Sequence, residues 1–215
     1  MHLSLNEIEA TSKRATRGAG RSWGMAEEGA KAVRSLHEIG LPGVRLLATL
    51  LQETDCLPQS SIAPTLLKGD WQGESGLLCP LATGATMSDI APEIAAGREV
   101  RTGALSCPLL LVPFAIAIAQ TSGKTLRLQW ADVTLDAHPE GVSPDLTNEN
   151  LLARRAETMT CRTVETGVMA AGADPLHNVD PDDWELLNAF AFRTFAPESE
   201  ASRRKGAGSS LPDND

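Results

Sequence analysis

The sequence predicts an α+β fold: a helical N-terminal part, a small, mostly antiparallel sheet in the middle, and a C-terminal helix packed on it. Three observations carry this. Residues 4–52 place apolar side chains three and four apart, the period of helices with one buried face. Residues 125–135 alternate apolar and polar, the period of a half-buried strand. Asp180-Pro181-Asp182-Asp183 is a helix start: a capping carboxylate, a proline in the first turn, and acids that complement the helix dipole.

Taken in order, Ser4 with Glu7 forms a capping box that opens a first helix, with Leu5, Ile8 and Ala15 on its apolar face. Gly18 is its expected stop, because glycine enters the left-handed conformation without a steric cost. Ser22 caps a second helix to Ile39, whose inner face holds Ala26, Ala30, Val33 and Leu36. Glu27–Lys31 and Arg34–Glu38 are spaced for ion pairs on its wet side. After Gly40, Pro42 suits the first turn of a third helix carrying Val44, Leu47, Leu50 and Leu51.

Residues 54–103 are broken by Pro58, Pro64, Pro80 and Pro92. Loops, short strands and one short helix near Ser88–Ala96, closed by Gly97, are expected there. So irregular a stretch within a domain marks a binding or interaction region. Leu109–Val112 reads as a buried strand, and Pro113 opens a helix to Ala119 that Gly123 stops. Leu126, Leu128 and Trp130 share one strand face. Val133 and Leu135 switch parity, which requires a turn or bulge at Ala131–Asp132. Thr147–Ala156 reads as a helix and Thr158–Val164 as a strand. The last helix carries Trp184, Leu187, Phe190, Ala191 and Phe192. A short basic-ended helix is expected over 197–205. The domain reading is one globular unit, 1–205, and a flexible C-terminal tail, 206–215.

Composition excludes several function classes. The chain has 215 residues, enough for a core without disulfides or metals. A net charge of −9 and 4% aromatics argue against nucleic-acid binding, which needs cations facing phosphates and rings for stacking. With no tyrosine, no phenol serves as acid or base. Cys56, Cys79, Cys107 and Cys161 are widely spaced with no C-x-x-C pair, so neither a disulfide framework nor a zinc site is expected. No signal peptide is visible, and the run Ala104–Ala119 is shorter than the ~20 apolar residues of a membrane span. The expected compartment is the cytoplasm, with no membrane and no cofactor.

Two segments have the chemistry of an anion site. Arg17-Gly18-Ala19-Gly20-Arg21 leads into a helix start at Ser22–Trp23, where free amides and flanking guanidiniums attract carboxylates or phosphates. It lacks the Gly-Lys-Ser/Thr ending of a P-loop. The same residues also serve as a plain connection between helices. Near the C-terminus, Ser202, Arg203, Gly206 and Gly208 combine a hydroxyl, a guanidinium and glycine amides. That segment reads equally as a flexible tail or a docking arm. Cys107 precedes Pro108; at the start of a helix its thiol would be acidified, the one reactive-thiol candidate, set against an inert buried cysteine. His37, His138 and His177 follow no metal-binding spacing, and Glu27 and Glu28 point about 100° apart on a helix.

The two ends resemble a known family. Leu3-Ser4-Leu5-Asn6-Glu7-Ile8-Glu9, Gly18-Ala19-Gly20 and Trp23-Gly24-Met25-Ala26-Glu27-Glu28 at the start are similar to it. So are Thr194-Phe195-Ala196-Pro197-Glu198-Ser199-Glu200 and Gly206-Ala207-Gly208 at the end. The family is a bacterial one of about this length, mainly alphaproteobacterial, catalogued as a domain of unknown function. The resemblance implies bacterial origin and brings no activity or catalytic residue. The first two helices also resemble those of the malate/L-lactate dehydrogenases outside the Rossmann class. That family continues with a Ser-His-Gly turn, where this chain has Leu41-Pro42-Gly43, so hydride transfer is not carried over.

Two functions fit these residues. The first is a non-catalytic accessory or oligomer-forming protein that binds a protein partner or its own copy through 54–103. The second is a small metabolic enzyme, or a subunit of one, that binds an anionic small molecule.

Overall fold

The computed structural model describes residues 1–142, 147–165 and 174–195. Three helices open the chain: α1 (Leu5–Gly18), α2 (Trp23–Glu38) and α3 (Gly43–Thr54). The capping box forms, with the Ser4 amide donating to Glu7 at 2.9 Å and the Glu7 amide donating to Ser4 Oγ at 3.3 Å. The expected inner faces are buried except for Leu5, which is half-buried, and Thr11, Ser12 and Thr16 join that of α1. Arg34–Glu38 pairs at 2.8 Å. Lys31 pairs with Glu28, not Glu27, because Lys13 reaches across from α1 and takes Glu27 at 2.8 Å.

Gly18 differs from its expected role. It is the last helical residue, and the left-handed one is Gly20, at φ +86°. Gly18 answers to packing: a Cβ there would lie 1.8 Å from the carbonyl oxygen of Phe190 on the last helix.

The stretch 54–103 is more helical than its prolines suggest. It holds a 3-10 turn (Gln59–Ile62), β1 (Asp70–Trp71), α4 (Pro80–Asp89), α5 (Ala91–Ala95) and β2 (Val100–Thr102). The single helix expected at Ser88–Ala96 is two helices. Pro80 and Pro92 each fall in a first turn, where the missing N–H has no helical partner to lose.

β3 (Leu105–Ser106) follows, then a 3-10 turn (Pro108–Leu111) running into α6 (Val112–Ser122). The strand expected at Leu109–Val112 is therefore helical. A short apolar run carries no period of its own, and Cys107, left-handed at φ +40°, turns the chain before it begins. The remaining elements are β4 (Thr125–Trp130), β5 (Val133–His138), β6 (Gly141–Val142), β7 (Arg155–Ala156), β8 (Met159–Val164) and α7 (Pro181–Phe192). The helix expected over Thr147–Ala156 shrinks to a 3-10 turn, Glu149–Leu152, before β7. The expected helix at 197–205 and the tail 206–215 lie outside the described residues.

The main sheet has the order β1-β2-β8-β4-β5-β6 and is antiparallel except for β1–β2; β3 and β7 form a second, antiparallel pair. The parity switch is a two-residue hairpin turn at Ala131 (φ +46°) and Asp132, with Trp130 opposite Val133. Leu126, Leu128, Trp130, Leu135 and Ala137 are buried on one face, and Arg127 pairs with Asp136 at 2.7 Å on the other. α6 is apolar almost all round and is buried between β4–β5 and helices α2 and α4. α7 packs on α1 and α3, completing the helical layer. Residues 1–3 bridge to 177–179, with the Leu3 amide donating to His177 O at 2.9 Å. No helix among the described residues is long and apolar enough to cross a membrane.

Candidate functional site

The turn from α1 to α2 lies where α7 ends. Ser22 caps α2, its Oγ accepting the Met25 amide at 3.2 Å. The two arginines that flank the turn have different roles. Arg21 is 2% exposed. Its guanidinium donates to Leu57 O at 2.7 Å, Thr54 O at 2.6 Å and Thr54 Oγ1 at 2.8 Å. It neutralises the carbonyl end of α3, where the helix dipole is negative. As an anion ligand Arg21 is corrected: its donors are committed to the protein itself.

Arg17 has more freedom. One of its N–H groups donates to Arg21 O at 2.9 Å, and the guanidinium lies 5.4 Å from the centre of the Trp23 ring. Trp23 is 58% exposed, unusual for so large an apolar ring. Across from them Arg193 leaves the end of α7, stacked on Phe190 at 4.4 Å and held by Asp55 at 2.7 and 3.0 Å. That bidentate bond holds the Asp55 carboxyl below the usual carboxylate range.

Between these elements lies a cleft of about 500 Å³. Among the described residues, Arg14, Arg17, Gly18, Trp23, Arg193, Thr194 and Phe195 line it: three guanidiniums, of which Arg193 is the one held by Asp55, and no lining carboxylate. The structure thus brings together Arg17, Gly18 and Trp23 of the expected site, and adds Arg14, Arg193 and Phe195. Arg14 lies one helical turn before Gly18 and was readable as a partner of Arg17. Arg193 and Phe195 were not, because only the α1–α7 crossing brings them near. Gly20 shapes the turn without lining the cleft. Ser202, Arg203, Gly206 and Gly208 lie outside the described residues.

Cys107 is fully buried. Burial pushes its thiol up to about 11, the opposite of the acidification expected at a helix start. His37 is buried and fixed at both nitrogens: Nδ1 lies 2.6 Å from Leu176 O and Nε2 accepts the Val44 amide at 3.1 Å. The first requires an N–H and the second a lone pair, so the ring is neutral and unavailable to a metal. Among the described residues no three His, Cys, Asp or Glu side chains are grouped to hold a metal ion.

No curated protein matches the sequence. Among solved structures, the crystal structure of malate dehydrogenase from Entamoeba histolytica is similar, with a TM-score of 0.46 and 12% identity. The match covers 64% of this chain and 43% of that one, so this chain spans less than half the length of the dehydrogenase. A likeness of that size assigns no activity. The N-terminal part, which supplies one side of the cleft, matches a family model: residues 3–99 are similar to the family described as "Protein of unknown function (DUF3726)".

Proposed function

We propose that this chain is a non-catalytic accessory protein that binds an anionic small molecule in the cleft between α1, the start of α2 and the end of α7. One observation carries the reading: among the described residues, Arg14 and Arg17 line the cleft without a carboxylate partner, beside Arg193, which Asp55 holds, in a chain of net charge −9. Such a cluster of cations concentrates anions locally whatever the sign of the whole molecule. A volume of about 500 Å³ lies in the range of metabolite sites, roughly 300–1,000 Å³. Stacking leaves the edge donors of a guanidinium to bond carboxylate or phosphate oxygens. Trp23 and Phe195 supply an apolar wall, which suits a ligand with a ring or hydrocarbon part beside its charge. Among the described lining residues the one hydroxyl, on Thr194, is engaged, donating to Ala191 O at 2.7 Å.

The test is a thermal-shift screen of the full chain against small carboxylates and phosphates, since a ligand of the folded state raises the melting temperature as its concentration rises. A rise that disappears in Arg14→Gln and Arg17→Gln supports the reading. No rise with any anion overturns it for that set.

A second reading has its own observation. Leu66 and Leu67, within 54–103, and Phe192 beside the cleft are exposed apolar side chains. They suit a protein partner or a second copy of the chain. Light scattering on the same sample separates the readings: a stable oligomer in the absence of anion favours the interface.

A further inference from the structure

A smaller cavity of about 170 Å³ lies on the other side of the helical layer, between α3 and the turn before β7. Arg45, Thr49 and Gln52 border it from α3, spaced four and three apart and so on one helix face. Arg154 faces them, and Cys107 forms part of the floor. Arg154 is anchored through its main chain, since the Cys107 amide donates to its carbonyl at 2.8 Å.

Three features mark this as more than a surface dimple. Among the described residues neither Arg45 nor Arg154 has an ion-pair partner. Among the described residues no carboxylate lines the cavity; the nearby Glu53, whose charge reaches Cys107, accepts from the Ser106 hydroxyl. Cys107 adopts φ +40°, ψ +63° immediately before a proline, a conformation disfavoured for a residue with a Cβ and persisting only where its surroundings enforce it.

We infer that this cavity is a site for one small tetrahedral oxyanion, phosphate or sulfate, gripped by Arg45 and Arg154 with Thr49 and Gln52 as further donors. Size selects the class: at about 170 Å³ the cavity is below the roughly 300 Å³ at which metabolite pockets begin. It suits a free ion better than a nucleotide or cofactor. Two guanidiniums match the geometry of a tetrahedral anion, which accepts from both at once. The Cys107 thiol, neutral because it is buried, does not repel the ion. Asp183, on α7, feels the charge of Arg45 but borders a neighbouring pocket with it rather than this one. No lining residue is shared with the cleft of the proposed function.

The test is calorimetric titration of the full chain with inorganic phosphate. Saturable binding is expected, weakened about tenfold in Arg45→Gln and in Arg154→Gln, the loss of one charge-assisted contact each, and unchanged in Arg14→Gln. Both arginines are exposed, so the variants are expected to fold with the native circular dichroism; Gln52→Ala gives an independent check on the same face. Binding that survives both arginine substitutions, or no saturable binding up to about 20 mM phosphate, overturns the inference.

Discussion

At the scale of single residues, burial decides chemistry that the sequence leaves open. His37 is the clearest case. Desolvation lowers its pKa below the ordinary histidine value, with the nearby His177 adding to the effect and the bond to Leu176 opposing it. The unfolded chain therefore binds the proton first. His37's contribution to stability is present above about pH 6.5 and is lost as the pH falls through that value toward the folded pKa. Urea midpoints are expected to drop between about pH 7.5 and pH 5.5, with a smaller drop in His37→Gln. An equal drop in the variant would assign the acid sensitivity to other groups. Arg21 makes the same point for a cation. Arg21→Met leaves Leu57 O and Thr54 O without their buried donor and is expected to cost on the order of 3 kcal/mol in chemical denaturation. The four cysteines divide by exposure. At neutral pH a thiol reagent is expected to modify Cys56 quickly and Cys79, Cys107 and Cys161 only as fast as the chain unfolds. A second fast thiol would mean that one of the buried positions opens readily.

At the scale of elements, close approach explains what propensity does not. Gly84 sits inside a helix, where glycine is unfavourable, and Gly18 closes one without taking the left-handed conformation. A Cβ at Gly84 would lie 2.3 Å from the Phe114 ring, and one at Gly18 would meet the backbone of α7. The backbone of α7 yields less easily than a ring. Gly18→Ala is expected to destabilise the protein by about 2 kcal/mol and to disturb the cleft, since Arg193 and Phe195 follow directly on the end of α7. Thermal melts of that variant with and without a cleft ligand measure both effects. A Gly18→Ala protein as stable as the parent would mean that α7 shifts without cost. The 3-10 turn Pro108–Leu111 shows the complementary case: its leucines read as a buried strand because a short apolar run carries no period of its own, whereas the helix that follows was expected from Pro113 onward.

At the scale of the whole molecule, amphipathic elements were legible and buried or irregular ones were not. α1, α2, α3, β4, β5, β8 and α7 each show a wet face and a dry one, or a capped start, within a single window of sequence. Those signals located them. The two-residue turn at Ala131–Asp132 was legible for the same reason, as a change in parity. The helices α4 and α5 were obscured by prolines that fall in first turns. The short turn at Glu149–Leu152 was overread as a helix because local propensity cannot weigh the β3–β7 pairing that ends it. Of the site, Arg17, Gly18 and Trp23 were named from one local motif.

The sequence by itself determined the fold class, the helical N-terminal layer, the antiparallel hairpin and a capped last helix, because these depend on periodicity and end signals within a dozen residues. Tertiary structure alone decided which cations remain available. It committed Arg21 to the end of α3, buried Cys107, and brought Arg193 and Phe195 to Arg17 from the far end of the chain. Those outcomes depend on which helices cross and how closely, and helix crossing is set by side chains distant in sequence.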